Sequence, residues 1–331
     1  MKSIAILYFT DGGRALAEQL AQALDCAAER PASGQLLPEV ARLFRAYDAL
    51  VFIGACGIAV RAIAPLLEGK ARDPAVVVLD ERGKYAISLL SGHIGGANDL
   101  ARRIAGITGG EAVITTATDV KGRFSADAWA ARSGCAIDSL DMAKRFSAEI
   151  LKRDLPLCAE FPLLGALPAG LFAANEGDLG VAITCRSAFS PFKATLRLIP
   201  RVLHLGVGCR RGTTEETIEI AVQKALEAGG LSPRAVKGVA TINIKQNEEG
   251  LSAFANAWNL PLAFFSAQEL QSAPGSFSSS AFVERTVGVD NVCERAAVCA
   301  AGESAVLLVR KLAGNGVTVA IAQEKWRVCF E

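Results

Sequence analysis

The sequence predicts an α/β protein: two three-layer α/β units with mostly parallel sheets, joined by a small irregular middle domain. Three observations carry this reading. Apolar runs of strand length alternate with helical periodicity over residues 1–120 and again over residues 201–331. The strand-like runs are apolar almost throughout, as in strands covered on both faces. Between them, residues 121–200 lose both periods and carry Pro156, Pro162, Pro168, Pro191 and Pro200. At ~150 residues per domain, 331 residues hold two or three domains with ample core.

In the first unit Ser3 to Phe9 reads as a strand bounded by Thr10-Asp11-Gly12-Gly13. Arg14 to Leu24 follows as a helix, with Leu16, Leu20, Ala23 and Leu24 on one face. Ala49 to Ile53 is a buried strand, Ile58 to Leu67 a helix and Ala75 to Leu79 a third strand. Glu81-Arg82-Gly83-Lys84 reads as a turn into Tyr85 to Leu90, making a hairpin. Ala97 to Ala105 is a helix closing at Gly106, and Ala112 to Thr116 a further strand.

Ser139 to Lys152 is the one helix expected in the middle segment. From Val202 the alternation returns. Val202 to Val207 is a strand, and Thr213 to Ala228 is a helix with Ile218, Ala221, Val222, Ala225 and Leu226 on one face, ended by Gly229-Gly230. Val239 to Ile244, Ala263 to Phe265, Ala305 to Val309 and Val317 to Ala322 are strands; Glu248 to Trp258 and Val292 to Ala301 are helices. The chain has no convincing repeat and no low-complexity tract beyond a short loop, Ser276 to Ser280.

Composition narrows the function classes. With 35 Lys plus Arg against 34 Asp plus Glu, the formal charge is +1, which argues against a dedicated nucleic-acid binder. Ala49 to Val60, the most apolar stretch, stops at Arg61, far short of the ~20 residues of a spanning helix. No cleavage-site pattern follows the apolar N-terminus, so a cytoplasmic protein is expected. The nine cysteines include no C-x-x-C pair and the chain has only two histidines, His93 and His204. No structural zinc or iron–sulfur site is expected, and most thiols read as small apolar fillers.

Ligands of open α/β sheets lie beyond the carboxyl ends of strands, where the next turn presents backbone N–H groups. Three such turns are glycine-rich: Gly54-Ala55-Cys56-Gly57, Ser91-Gly92-His93-Ile94-Gly95-Gly96, and Gly206-Val207-Gly208-Cys209-Arg210-Arg211-Gly212. In the second, His93 suits general acid–base work near neutral pH. It equally suits a loop hydrogen bond, and both readings stay open. Asn98 and Asp99 follow, the latter explained by the helix dipole. In the third, Arg210 and Arg211 ahead of a helix could hold a carboxylate or phosphate, or simply be solvated. Thr213 and Glu216 have capping-box spacing. Neither a Walker loop nor a G-x-G-x-x-G fingerprint is present, so nothing points to ATP or NAD. Cys56 at a strand–helix turn, paired with His93, would make a thiol hydrolase, although buried filler is the simpler reading. Lys245 with Glu248 and Glu249 reads first as a solvated charge cluster.

Several stretches together resemble the cobalt-precorrin-5A hydrolase (CbiG) family of anaerobic cobalamin biosynthesis. They are Gly54 to Leu67, Asp73 to Asp80, Ile87 to Asn98, Gly206 to Thr213, Ala240 to Lys245, Leu260 to Ser266 and Thr318 to Ala322. The resemblance covers nearly the whole chain, as an N-terminal domain (1–120), a middle linking domain (121–200) and a C-terminal domain (201–331). Asn243 and Asn247 depart from it, standing where acidic residues are expected, so no catalysis is placed there.

The resemblance implies a cobalt-bearing tetrapyrrole substrate whose ring-A δ-lactone is opened by water, with the meso carbon and its methyl leaving as acetaldehyde. Cobalt would arrive in the substrate, so no cofactor and no protein metal site are expected. Neighbouring cobalamin-pathway enzymes would be partners, and nucleic acid and membrane would not. On this basis His93 is expected to activate water or shuttle a proton, with the N–H groups of Gly95 and Gly96 holding the oxyanion. Substrate contacts are expected from Gly54, Cys56, Gly57, Arg61, Ser91, Gly92, Asn98, Gly208, Arg210, Arg211, Thr213 and Lys245. A non-catalytic tetrapyrrole carrier is the competing class, and a Cys56 thiol hydrolase the other.

Overall fold

A computed structural model of the chain describes residues 3–69, 72–93, 95–279 and 288–330. Ile94 of the second glycine turn and Ser280 of the serine loop lie outside them. The chain divides into two compact units. The first comprises residues 1–132 with the short segments 147–154 and 168–170; the second comprises residues 133–146, 155–167 and 171–331. The chain crosses between units inside one helix, Leu140–Ile150.

The first unit is built on a six-stranded sheet. Its strands are β1 (Ile4–Tyr8), β2 (Ala27–Glu29), β3 (Ala49–Ile53), β4 (Ala75–Leu79), β5 (Tyr85–Leu90) and β6 (Glu111–Val113), in the order β2-β1-β3-β4-β5-β6. All neighbours are parallel except β4 and β5, which form the expected hairpin. Asp80 closes that turn by accepting the Arg82 and Tyr85 N–H groups. Every residue of β3 and β4 is buried, because both faces of the sheet are covered. Alternate side chains serve the two layers. Val51, Ile53, Val77 and Leu79 pack with α1 (Asp11–Leu24) and the helix Ala97–Thr108. Leu50, Phe52, Val76 and Val78 pack with α2 (Leu36–Ala46) and α3 (Cys56–Ile63).

The helix Ala97–Thr108, here α4, runs three residues past the expected end. Nothing crowds Gly106, so the helix passes through it, and Gly109 at φ 70° supplies the left-handed cap instead. Two short helices, α5 (Ala117–Val120) and α6 (Ala126–Arg132), complete the unit. The first unit therefore includes residues up to 132, beyond the boundary expected at 120.

The middle segment is more regular than the sequence suggests. It holds β7 (Cys135–Ile137), α7 (Leu140–Ile150), β8 (Leu155–Ala159), β9 (Leu163–Leu164), β10 (Leu171–Ala173), β11 (Leu179–Ile183) and β12 (Ala194–Pro200). All but α7 and β9 form a sheet in the order β10-β8-β11-β12-β7. Pro156 does not break β8. It sits opposite Phe172 of β10, before the ladder to β11 begins at Leu157. Pro200 closes β12, paired with Cys135 of the antiparallel edge strand.

The remainder of the second unit carries β13 (Leu203–Cys209), α8 (Glu215–Gly229), β14 (Val236–Ile242), α9 (Glu249–Ala257), β15 (Leu262–Phe265), α10 (Ala267–Gln271), α11 (Cys293–Ala301), β16 (Val306–Gly314) and β17 (Val317–Gln323). Its sheet order is β15-β14-β13-β17-β16, parallel up to β13 and antiparallel beyond it. Gly206 lets α11 lie directly on β13: a Cβ there would stand 1.8 Å from the Cys293 carbonyl oxygen. Thr214, not Thr213, caps α8, accepting the Thr217 N–H. Thr213 instead turns its hydroxyl back to the Arg210 carbonyl, so the expected Thr213–Glu216 box does not form. Among the described residues no helix is long and apolar enough to cross a membrane.

Candidate active site

The loop joining β5 to α4 is closed by its own backbone. The Ala97 and Asn98 N–H groups donate to the Ser91 and Gly92 carbonyls. Ser91 sits at φ 54° and donates its hydroxyl to the Asp73 carbonyl at 3.0 Å. A Cβ on Gly92 would stand 2.6 Å from Asn98 Oδ1, and one on Gly95 would stand 2.4 Å from Ser91 Cβ. Gly96 caps α4 at φ 90°. Loop closure thus accounts for each glycine, and the first helical N–H groups are already occupied.

This closure fixes His93 between two carboxylates. Its Nε2 lies 2.7 Å from Asp119 Oδ2, and its Nδ1 lies 3.1 Å from Asp127 Oδ1 and 3.0 Å from Ser125 Oγ. Ser125 donates to Asp127 Oδ1 at 2.5 Å. Asp119 also receives Asn98 Nδ2 at 3.0 Å and Arg102 Nη2 at 2.6 Å. Buried Asn98 is aimed by the Ser88 hydroxyl, 2.7 Å from its Oδ1.

Burial by itself would lower the His93 pKa, but hydrogen bonds to Asp127 and Asp119 outweigh it and hold the imidazole above its ordinary value. Burial likewise tends to raise both carboxylates. Hydrogen bonds from His93 and Ser125 nevertheless bring Asp127 down to about 2, and His93 with Arg102 lowers Asp119. Both ring nitrogens face carboxylates, an arrangement that favours the protonated ring with both N–H bonds directed at them. Such a group can give a proton to a substrate; it becomes a base only after giving one.

The first glycine turn has a plainer local account. Gly54 admits the Phe9 ring, whose Cδ2 would lie 2.8 Å from a Cβ. Cys56 opens α3 and packs on the core containing Phe44 and Phe52. His93 is held by Asp119, Asp127 and Ser125, so the structure does not build the Cys56–His93 pairing. Exposed Arg61 reaches back to the Gly57 carbonyl at 3.3 Å.

At the third turn, in the second unit, Gly208 approaches the Thr318 hydroxyl, and Arg210 and Arg211 are exposed. Lys245, in the turn after β14, pairs with Glu248 at 2.9 Å. Glu248 also accepts the Gly212 N–H at 3.0 Å. Lys245 and Glu248 keep only 18% and 11% of their side-chain surface, so this is a built ion pair and not a solvated cluster. Asn243 opens the same turn. The turn holding Arg210, Arg211 and Thr213 thus meets Lys245 through Glu248 in the second unit, while Asn98 shares Asp119 with His93 in the first.

Sequence reasoning missed Asp119, Ser125, Asp127 and Arg102. Asp119 follows β6 in Thr116-Ala117-Thr118-Asp119, a polar cluster at a strand end, the signal used elsewhere in the chain. Ser125 and Asp127 lay beyond the boundary expected at 120.

A histidine braced by two carboxylates, in the loop that follows β5 of a three-layer α/β sheet, is an arrangement suited to proton transfer. Residues 203–322 match the family model for the Cobalamin synthesis G C-terminus, and residues 39–119 match that for the Cobalamin synthesis G N-terminal region. The chain is 36% identical to the cobalt-precorrin-5A hydrolase of Salmonella typhimurium, covering 97% of both chains. It is 33% identical to that of Priestia megaterium, covering 88% of this chain and 82% of the relative. A probable cobalt-precorrin-5A hydrolase of Methanocaldococcus jannaschii is 28% identical, covering 97% of this chain and 99% of the relative. The chain belongs to the cobalt-precorrin-5A hydrolase (CbiG) family.

Proposed function

We propose that the chain opens the ring-A δ-lactone of cobalt-precorrin-5A and releases acetaldehyde, leaving cobalt-precorrin-5B. The observation that carries this is 36% identity along 97% of the chain to a relative named for that reaction. The reaction alternates proton demands. Water adds to the lactone carbonyl, the carbon–oxygen bond breaks and the freed carbinol gains a proton. The carbinol then loses its proton as the carbon–carbon bond breaks, and the macrocycle takes a proton on the carbon left behind. A single group titrating near neutrality can serve both directions.

His93 is that group in this reading. It starts as the imidazolium held by Asp119 and Asp127, gives a proton to the departing oxygen, and recovers one from the carbinol. Exposed Arg210 and Arg211, with Arg61, take peripheral carboxylates of the macrocycle. Cobalt arrives inside the substrate, and the hydrolysis is assigned to side chains with no resident metal or cofactor. The protein works in the cytoplasm and exchanges its unstable substrate and product with neighbouring enzymes of the route.

The test is anaerobic incubation of the purified protein with cobalt-precorrin-5A, measuring acetaldehyde together with the corrinoid mass. One acetaldehyde per corrinoid, with the matching mass change, is expected. Bound but unchanged lactone would make the chain a carrier, and no binding would overturn the reading altogether.

A further inference from the structure

The two carboxylates on His93 are not equivalent. Asp119 is braced from several elements: Oδ2 accepts His93 Nε2 and Asn98 Nδ2, and Oδ1 accepts Arg102 Nη2. Arg102 is steadied in turn by Asp99 at 2.9 Å, and Arg132 approaches Asp99 at 3.9 Å. The donors come from α4 and the loop before it, so this side cannot shift without disturbing the β5–α4 connection. The Nδ1 side is simpler. Ser125 and Asp127 both belong to the start of α6, and Asp127 Oδ1 takes His93, Ser125 and the Ala128 N–H together. Asp127 Oδ2 has no partner among the described residues, and the side chain keeps 25% of its surface.

We propose that Asp119, braced by Arg102 and Asn98, is a positioning residue that keeps a proton on His93 Nε2 throughout, leaving Nδ1 as the nitrogen that exchanges its proton with the substrate. This rests on the reading of His93 as the acid–base group. The resting Nδ1 proton points to Ser125 and Asp127. When it passes to the departing oxygen, the imidazole is left neutral as the Nε2–H tautomer, with an Nδ1 lone pair beside the Ser125 hydroxyl. That lone pair takes the carbinol proton and restores the imidazolium. No proton crosses the Asp119 hydrogen bond, so Asp119 contributes orientation and charge only.

The chain's two histidines make the test direct, because nitrogen NMR of labelled protein shows only two imidazoles. Above the His93 midpoint the Nε2–H tautomer is expected. In Asp119→Asn that preference is lost, and the kcat limb set by His93 moves to lower pH. There kcat falls ~10²-fold or more, while KM is held. Asp127→Asn also lowers the midpoint yet keeps the Nε2–H tautomer. Arg102→Met, at a half-exposed side chain, frees Asp119 from its competing cation and shifts the midpoint to higher pH, opposite to Asp119→Asn and by less; it serves if Asp119→Asn does not fold. His204 is the internal control and stays put. An Nδ1–H tautomer in the wild type, or an unchanged tautomer and pH limb in both Asp119→Asn and Arg102→Met, would overturn the assignment. Undiminished turnover in His93→Ala would instead remove the acid–base reading beneath it.

Discussion

His93 and His204 each face a carboxylate at hydrogen-bond distance, 2.7 Å from Asp119 and 2.9 Å from Glu324. Their environments drive them in opposite directions. At His93 burial is outweighed by two carboxylates, and the pKa rises. At His204, in the ladder of β13, burial dominates and the pKa falls despite Glu324, whose charge is shared with Lys237 at 2.7 Å. A neighbouring carboxylate therefore does not make a charged histidine. The outcome depends on how many carboxylates face the ring and whether a cation has already claimed them. His93 is equipped for proton transfer; His204 is a buried polar link between strand ends.

Removing each histidine separates these roles most sharply. His93→Ala should lower kcat by ~10²–10⁴-fold, while His204→Ala keeps kcat and loses stability by about 1–3 kcal/mol as partly buried Glu324 loses one of its two partners. Steady-state acetaldehyde release and urea unfolding read the two effects. Equal losses of kcat in both variants would erase the distinction.

The two ends of the third glycine-rich turn differ in the same way. Gly206 is sealed against α11, so Gly206→Ala should destabilise by ~1–3 kcal/mol or more through overpacking, measured as a lower urea midpoint. Arg211, exposed at the end of that turn, should instead affect substrate capture. Arg211→Ala should raise KM by ~10-fold with kcat held, the pattern of lost uniform binding.

The smallest effects lie in the pH dependence of stability. The His93 contribution is complete below the unfolded histidine value of about 6.5 and fades as pH climbs through its higher folded value. Asp119 and Asp127 contribute above the unfolded carboxylate range and lose that contribution toward the folded Asp127 value of about 2. His204 has the opposite slope: its contribution is complete above about 6.5 and fades as pH drops through its lowered folded value. Across pH 5 to 8 the two slopes have opposite signs, His204 acting below about 6.5 and His93 above it. His204→Gln should therefore expose a stability that falls with pH, and His93→Gln one that rises, in unfolding midpoints taken across that range. Lys237→Met should move His204 upward, toward the behaviour of His93.

The fold was legible wherever burial on both faces made a strand continuously apolar, as in Ala49–Ile53 and Ala75–Leu79. It was also legible where a helix had one clear face, as in Glu215–Gly229. It was not legible in the middle segment, where Pro156 and Pro200 read as breakers although each occupies a strand position that tolerates the missing donor. Leu36–Ala46 escaped because Pro38 stands in its first turn, although Val40, Leu43 and Phe44 carry the helical spacing. At the site, His93 could be seen from its loop. Its raised pKa could not, because that is set by Asp119 and Asp127, 26 and 34 residues downstream, which only the packing of α5 and α6 brings to the two ring nitrogens.

The most direct measurement is a proton titration of both imidazoles in one sample of wild-type protein, followed by nitrogen NMR. The expected result is a His93 midpoint above the ordinary histidine value of about 6.5 and a His204 midpoint below it. Midpoints in the reverse order, or a His93 that stays neutral through pH 6 to 7, would contradict the assignment of His93 as the charged proton donor of the site.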